Sequence, residues 1–188
     1  MNTLIDALRT RRSVSAHLLA APGPRPEQIE TILTVAARVP DHGRVVPWRF
    51  VVIQGEASRR LADAVAAAFR ADNPEAVEAR VTEERAKFLH APLIVAVVAR
   101  VRPHVKIPEW EQELSVGAAV MNLIHAANAL GFGTSWLSGW PAFDRRVLDG
   151  LGLSPDERLA GYVHVGTPPV QPPVDRPRPA LADVVTYL

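Results

Sequence analysis

Residues 92–139 read PLIVAVVARVRPHVKIPEWEQELSVGAAVMNLIHAANALGFGTSWLSG. The run Leu93-Ile94-Val95-Ala96-Val97-Val98 is continuously apolar instead of alternating, the pattern of a strand covered on both faces. After the lead-in from Glu109 to Glu113, the segment Leu114 to Gly131 contains no charged residue. Ser115, Asn122, His125 and Asn128 interrupt it, and it falls short of the ~20 strongly apolar residues that a bilayer span requires. It reads as a long helix buried inside protein, and no membrane association is expected. Gly133 to Leu137 then reads as a short strand.

Working outward, Leu4, Ile5 and Leu8 space a first helix over residues 2–10. A connector with Pro22, Pro24 and Pro26 follows. Pro26 suits the first position of a second helix, whose face is Ile29, Ile32, Leu33 and Ala36 and which ends before Pro40. Trp48 to Gln54 groups the β-formers Phe50, Val51, Val52 and Ile53. Glu56 to Leu89 is helical and alanine-rich, broken at Asn73-Pro74. A short helix around Phe143 to Leu151 and a strand over Gly161 to Val165 complete the expected elements. Beyond Gly166, Pro168, Pro169, Pro172, Pro173, Pro177 and Pro179 make residues 168–188 an extended arm ending in a strand candidate, Val184 to Leu188. Such a strand either folds back on its own sheet or reaches a neighbour. A helix apolar on every face must be covered on every face, which favours the neighbour and a homodimer. One domain spanning 1–188 is expected.

The 188 residues are 48% hydrophobic and 22% charged, a globular composition that excludes wholesale disorder. With 21 basic and 20 acidic side chains the formal charge is +1, so there is no net drive toward nucleic acid or anionic lipid. The chain has no cysteine, which excludes disulfides, thiolate metal sites, iron–sulfur clusters and a cysteine nucleophile. Every basic residue except Lys87 and Lys106 is Arg, from either a coding bias or a preference for bidentate anion contacts. Nothing near Met1 reads as a secretory signal, and a cytoplasmic location is expected.

Several enzyme templates fail. Gly131-Phe132-Gly133 begins a G-x-G-x-x-G, but Trp136 stands at its sixth position and the motif precedes a strand. Gly133-Thr134-Ser135-Trp136-Leu137 lacks the closing glycine of a serine nucleophile elbow. His17, His42, His90, His104, His125 and His164 form no ligand pair, so no metal site is expected. His125 and His164, in apolar runs, are expected as hydrogen-bonded core or interface residues.

Three clusters remain. Arg11-Arg12-Ser13 follows the first helix and suits a phosphate through charge-assisted hydrogen bonds, or is a solvated helix end. Arg38-Val39-Pro40-Asp41-His42-Gly43, followed by Pro47-Trp48, is a stiff polar loop in a common place for function, or merely a turn. Gly133 to Gly139 brackets a short strand with glycines, which lets backbone approach a flat ligand or marks the strand ends.

In order along the chain stand R-R-S, R-x-P-D-H with P-W, P-x-W-E-Q-E before the long helix, G-F-G-x-x-W-x-S-G after it, and a terminal V-T-Y. This ordered set resembles the FMN-dependent nitroreductase family, in its short, minimal form, over Thr3 to Leu188. The resemblance implies an α+β fold with a mixed sheet flanked by helices, an intertwined homodimer, and FMN at two interface sites. It implies that Arg11, Arg12 and Ser13 hold the ribityl phosphate and pyrimidine edge, that Arg38 and His42 come from the other subunit, and that Trp136, Leu137 and Ser138 line the isoalloxazine. The Asp41-His42-Gly43-Arg44 stretch departs from larger members, which carry Ser and Asn there. Larger members also place basic residues near the C-terminus on the phosphate; Arg176 and Arg178 stand in that stretch, either for this role or as surface charges. Ala126 to Gly131 is a candidate for nicotinamide contact or simply core helix.

The implied activity is an FMN-dependent oxidoreductase that takes hydride from NAD(P)H and passes electrons to a nitroaromatic, quinone or similar acceptor in ping-pong order. The flavin would carry the chemistry, so no side chain is assigned as a catalytic acid, base or nucleophile. A non-catalytic module that stores or delivers FMN is the alternative, and a structural dimer without cofactor a third.

Overall fold

The computed structural model describes residues 4–170 and 174–188. In chain order it contains α1 (Leu4–Thr10), α2 (Pro26–Ala36), β1 (Trp48–Ile53), α3 (Glu56–Asp72), α4 (Glu78–Ala86), β2 (Leu93–Ala99), α5 (Glu109–Ala129), β3 (Gly133–Leu137), α6 (Arg145–Gly150) and β4 (Arg158–Gly166). The first helix is thus as expected from Leu4 onward; positions 2 and 3 lie outside the described residues.

The strands order β1-β2-β4-β3. All seven residues of β2 are buried, and their alternation divides the core. Leu93, Val95, Val97 and Ala99 face α2 and α5, packing on Ile32, Ala36, Val116, Val120 and Leu123. Ile94, Ala96 and Val98 face α3 and α6, packing on Leu61, Val65, Val147 and Leu148. Successive side chains of a strand point to opposite faces, so an unbroken apolar run is what a sheet between two helical layers requires. Each Val, Leu or Ile side chain among them contributes about 1.5–3 kcal/mol on burial.

Local signals set the ends of the elements. Pro26 opens α2, and Arg25 N donates to the Gln28 side chain at 3.0 Å. Asn73 closes α3 by turning both its N–H and its side-chain amide to the Phe69 carbonyl. Asp144 caps α6 through the amides of Arg146 and Val147.

One expectation is corrected: within one chain the sheet is antiparallel at every pairing among the described residues, not mixed. Leu181–Asp183 is a 3-10 turn, and residues 184–188 are exposed and pair with no strand of their own chain among the described residues, so of its two alternatives the arm does not take the one that folds back on its own sheet. The last strand, β4, also begins at Arg158, three residues earlier than its apolar core suggests.

Candidate functional site

Leaving α1, the chain carries Arg11, Arg12 and Ser13 across β3, where Val14 N donates to Thr134 O at 2.9 Å. The crossing is close because Gly133 has no side chain: a Cβ there would meet Leu19 Cδ2 at 2.8 Å and Pro168 Cβ at 3.0 Å. Ser13 thereby joins Ser135, Trp136, Leu137 and Ser138 around one cleft of about 790 Å³. Trp136 is pinned over Gly161. Its Nε1 donates to Ala160 O at 3.1 Å, and a Cβ on Gly161 would come within 2.3 Å of that nitrogen. Trp136 and Leu137 each keep 41% exposure, so this end of β3 is presented rather than buried.

The rest of the cleft wall comes from elements without a sequence motif: His17, Lys87, His90, Trp140, His164 and Arg176. Glu84 of α4 lies there with 1% exposure. Burial works to raise its pKa, but hydrogen bonds from Lys87 and Trp140 and the charges of Lys87 and Arg80 outweigh it, so the carboxylate stays ionised below its usual range. His164 is buried and pushed down to about 4, by burial first and by His90 second. Its imidazole is therefore neutral near pH 7, and among the described residues its Nδ1 has no hydrogen-bond partner, contrary to the expectation of a hydrogen-bonded core histidine. Burial also raises the Tyr162 phenol, which donates to Pro141 O at 3.2 Å and supports the turn beneath the cleft.

Arg11 and Arg12 are half-buried just behind Ser13 and do not line this cleft. Arg11 faces the end of α5, where burial, and then the Arg11 charge, hold His125 below the usual imidazole range. Arg38 and His42 lie on a different wall of the molecule. Both are exposed, neither lines the cleft, and His42 Nδ1 pairs with Glu111 Oε2 at 2.7 Å in the first turn of α5. Glu111 and His125 stand about four turns apart on α5, or about 21 Å, so one chain does not bring His42 to Arg11. The loop between Arg38 and Pro47 is strained: Arg44 and Val46 have φ of 54° and 52°, left-handed values that cost about 1–3 kcal/mol for residues other than glycine.

Arg176 reaches the cleft, whereas Arg178 turns back to Arg176 O at 2.7 Å. Sequence gave these two no distinction. Glu84 and its partners could have been found from the helical spacing of Arg80, Glu84 and Lys87; His17, His90 and His164 carry no such signal. Among the described residues, no group of His, Asp and Glu comes together that could hold a metal ion, and no helix is long and apolar enough to cross a membrane.

The nitroreductase family model matches residues 8–167. The chain belongs to the nitroreductase family, and is by that membership an oxidoreductase. It is 37% identical over 186 residues to the Escherichia coli (strain K12) protein named "Putative NAD(P)H nitroreductase YdjA", covering 97% of this chain and 98% of that one. Its fold matches a nitroreductase-like family protein from Bacillus cereus with a TM-score of 0.85 at 22% identity, covering 100% and 97% of the two chains. It also matches the FMN and NADPH-dependent nitroreductase NfnB of a Sphigopyxis species, with a TM-score of 0.78, 19% identity and 99% of each chain covered.

Proposed function

We propose that this protein is an FMN-dependent NAD(P)H oxidoreductase whose acceptors are nitroaromatics, quinones or similar small molecules. The observation that carries the reading is the convergence of Ser13 with Trp136, Leu137 and Ser138 on one cleft. The donor set suits a flavin mononucleotide. Glycine at 133 and 161 allows backbone and indole to pack where a Cβ would collide, leaving a presented strand for a flat ring. Arg176 in the cleft and Arg11 and Arg12 beside it supply the cations that a phosphate selects. Bound there, the flavin would supply the redox chemistry, accepting hydride from NAD(P)H and passing electrons on in ping-pong order. The chain's own part is to orient the ring against Trp136 to Ser138, neutralise the phosphate and exclude water.

The working unit in this reading is a homodimer in which Arg38 and His42 of each chain complete the cleft of the other. Helix α1 buries none of its residues, and Leu4 and Ile5 on it are exposed along with Trp110 and Leu114 of α5. A seven-residue helix with nothing buried is too short to persist alone in water, so it needs a cover. A second copy provides one by symmetry.

Steady-state oxidation of NADPH or NADH with menadione or a nitroaromatic tests the activity. Turnover that depends on added FMN is expected. Bound flavin that neither nicotinamide reduces would instead identify an FMN carrier.

A further inference from the structure

The loop from Arg38 to Pro47 is held by side chains that grip its backbone. Asn122 Nδ2 donates to Arg38 O at 2.9 Å, and Ser115 Oγ donates to Pro40 O at 2.7 Å. Both come from α5. On the other side, Arg102 donates to Val45 O at 3.2 Å and Arg100 to Trp48 O at 3.0 Å. Gly43, at φ 65°, leaves the space that Ile107 fills, since a Cβ there would lie 2.3 Å from Ile107 Cδ1. At the centre is Asp41. Its two carboxylate oxygens accept from Val45 N at 3.1 Å and Val46 N at 3.0 Å, across the left-handed residues Arg44 and Val46. A β-branched residue keeps that conformation only where its surroundings over-determine it.

With the backbone turned inward, the side chains of Arg38 and His42 point out. Among the described residues the Arg38 guanidinium has no hydrogen-bond partner, and His42 is tied only through Nδ1 to Glu111. We propose that Asp41 is a positioning residue: by clamping the amides of Val45 and Val46 it fixes the loop so that Arg38 and His42 stand ready for the flavin held by a second copy of the chain. This rests on the reading that those two residues serve the partner's cleft. Ser115 and Asn122 act in the same way, from α5.

A double-mutant cycle on the full-length dimer tests it, with FMN affinity read from quenching of flavin fluorescence and folding from the melting temperature. Asp41→Ala is expected to raise the FMN Kd about tenfold, equivalent to 1.4 kcal/mol, and His42→Ala by a similar factor. In an Arg38→Ala background, the Asp41→Ala/His42→Ala double variant should be no weaker than His42→Ala within about twofold, because neither side chain is then left to position. If Asp41→Ala does not fold, Asp41→Asn, which keeps one acceptor, replaces it and should fall between the parent and His42→Ala. Full additivity in the double variant, or parental FMN affinity in a folded Asp41 variant while His42→Ala binds weakly, overturns the proposal alone. Parental affinity in both His42→Ala and Arg38→Ala overturns the underlying reading and the proposal with it.

Discussion

Gly161→Ala is the substitution that most directly strikes the cleft. Gly161 sits in β4 at φ 149°, backbone that residues with a side chain rarely adopt. Its added methyl would lie 2.3 Å from Trp136 Nε1 and 2.9 Å from Leu137 O. The first atom belongs to a rigid ring and the second to backbone, so neither gives way cheaply. Overpacking of this kind costs about 1–3 kcal/mol, the backbone strain about 1–3 kcal/mol, and the broken bond from Trp136 to Ala160 O about 1 kcal/mol. Relief by swinging the indole removes part of this, leaving a destabilisation of about 2–4 kcal/mol. For a chain of this size that is a drop of roughly 4–16 °C in melting temperature. FMN affinity should fall as well, because Trp136 is then no longer where the cleft needs it. Calorimetry and fluorescence quenching on the same preparation read both. A variant that melts within about 2 °C of the parent and binds FMN equally well refutes the assignment of Trp136 as a fixed wall of the site.

Acid sensitivity should trace in part to Glu157, whose pKa is lowered to about 2 by hydrogen bonds from Arg49. Its folded-state pKa lies below the ordinary 4.5, so the pair stabilises the fold above that value and the benefit is lost as pH falls from about 4.5 toward about 2. Glu157→Gln should cost about 1–2 kcal/mol near pH 7 and flatten the decline of melting temperature between about pH 4.5 and about pH 2; an unchanged slope would remove this pair from the acid response. Arg176→Ala should weaken FMN roughly 10- to 100-fold and riboflavin hardly at all, since one charge-assisted bond to phosphate is worth about 1.5–3 kcal/mol; equal loss for both ligands would separate Arg176 from the phosphate. Leu114→Asp puts a carboxylate in the exposed stripe of α5 and should shift the protein toward monomer in size-exclusion chromatography while weakening FMN. A dimer that survives it intact uses another face.

Much of the layered fold was legible because its signals are local. The unbroken run Leu93 to Val98 suits a strand between two layers, and Pro26 and Asn73-Pro74 mark helix ends through backbone constraints of their own. The first half of β4 was hidden because Arg158, an apparent surface charge, pairs with Glu113 at 2.6 Å, and Gly161, an apparent breaker, exists to seat Trp136. The terminal Val184 to Leu188 has strand propensity, but propensity does not pair a strand with an edge. The parts of the site were visible as motifs, yet the meeting of the first and third depends on the Val14–Thr134 hydrogen bond and on a missing Cβ at Gly133, neither of which a periodicity encodes. His17, His90 and His164 were scattered in sequence and gather only because the 3-10 turn Ala16–Leu18, the loop before β2 and strand β4 surround one cleft. Arg38 and His42 were visible as a polar loop, while the clamp of Asp41 on Val45 and Val46 depends on backbone angles that residue types do not announce.

The central claim is that this cleft holds an FMN that NAD(P)H can reduce. The most direct test is the visible absorption spectrum of the purified protein, taken after incubation with FMN and removal of the excess, before and after anaerobic addition of NADPH or NADH. A retained flavin band that bleaches on addition of the nicotinamide and returns with menadione is expected. A protein that stays colourless after incubation with FMN contradicts it.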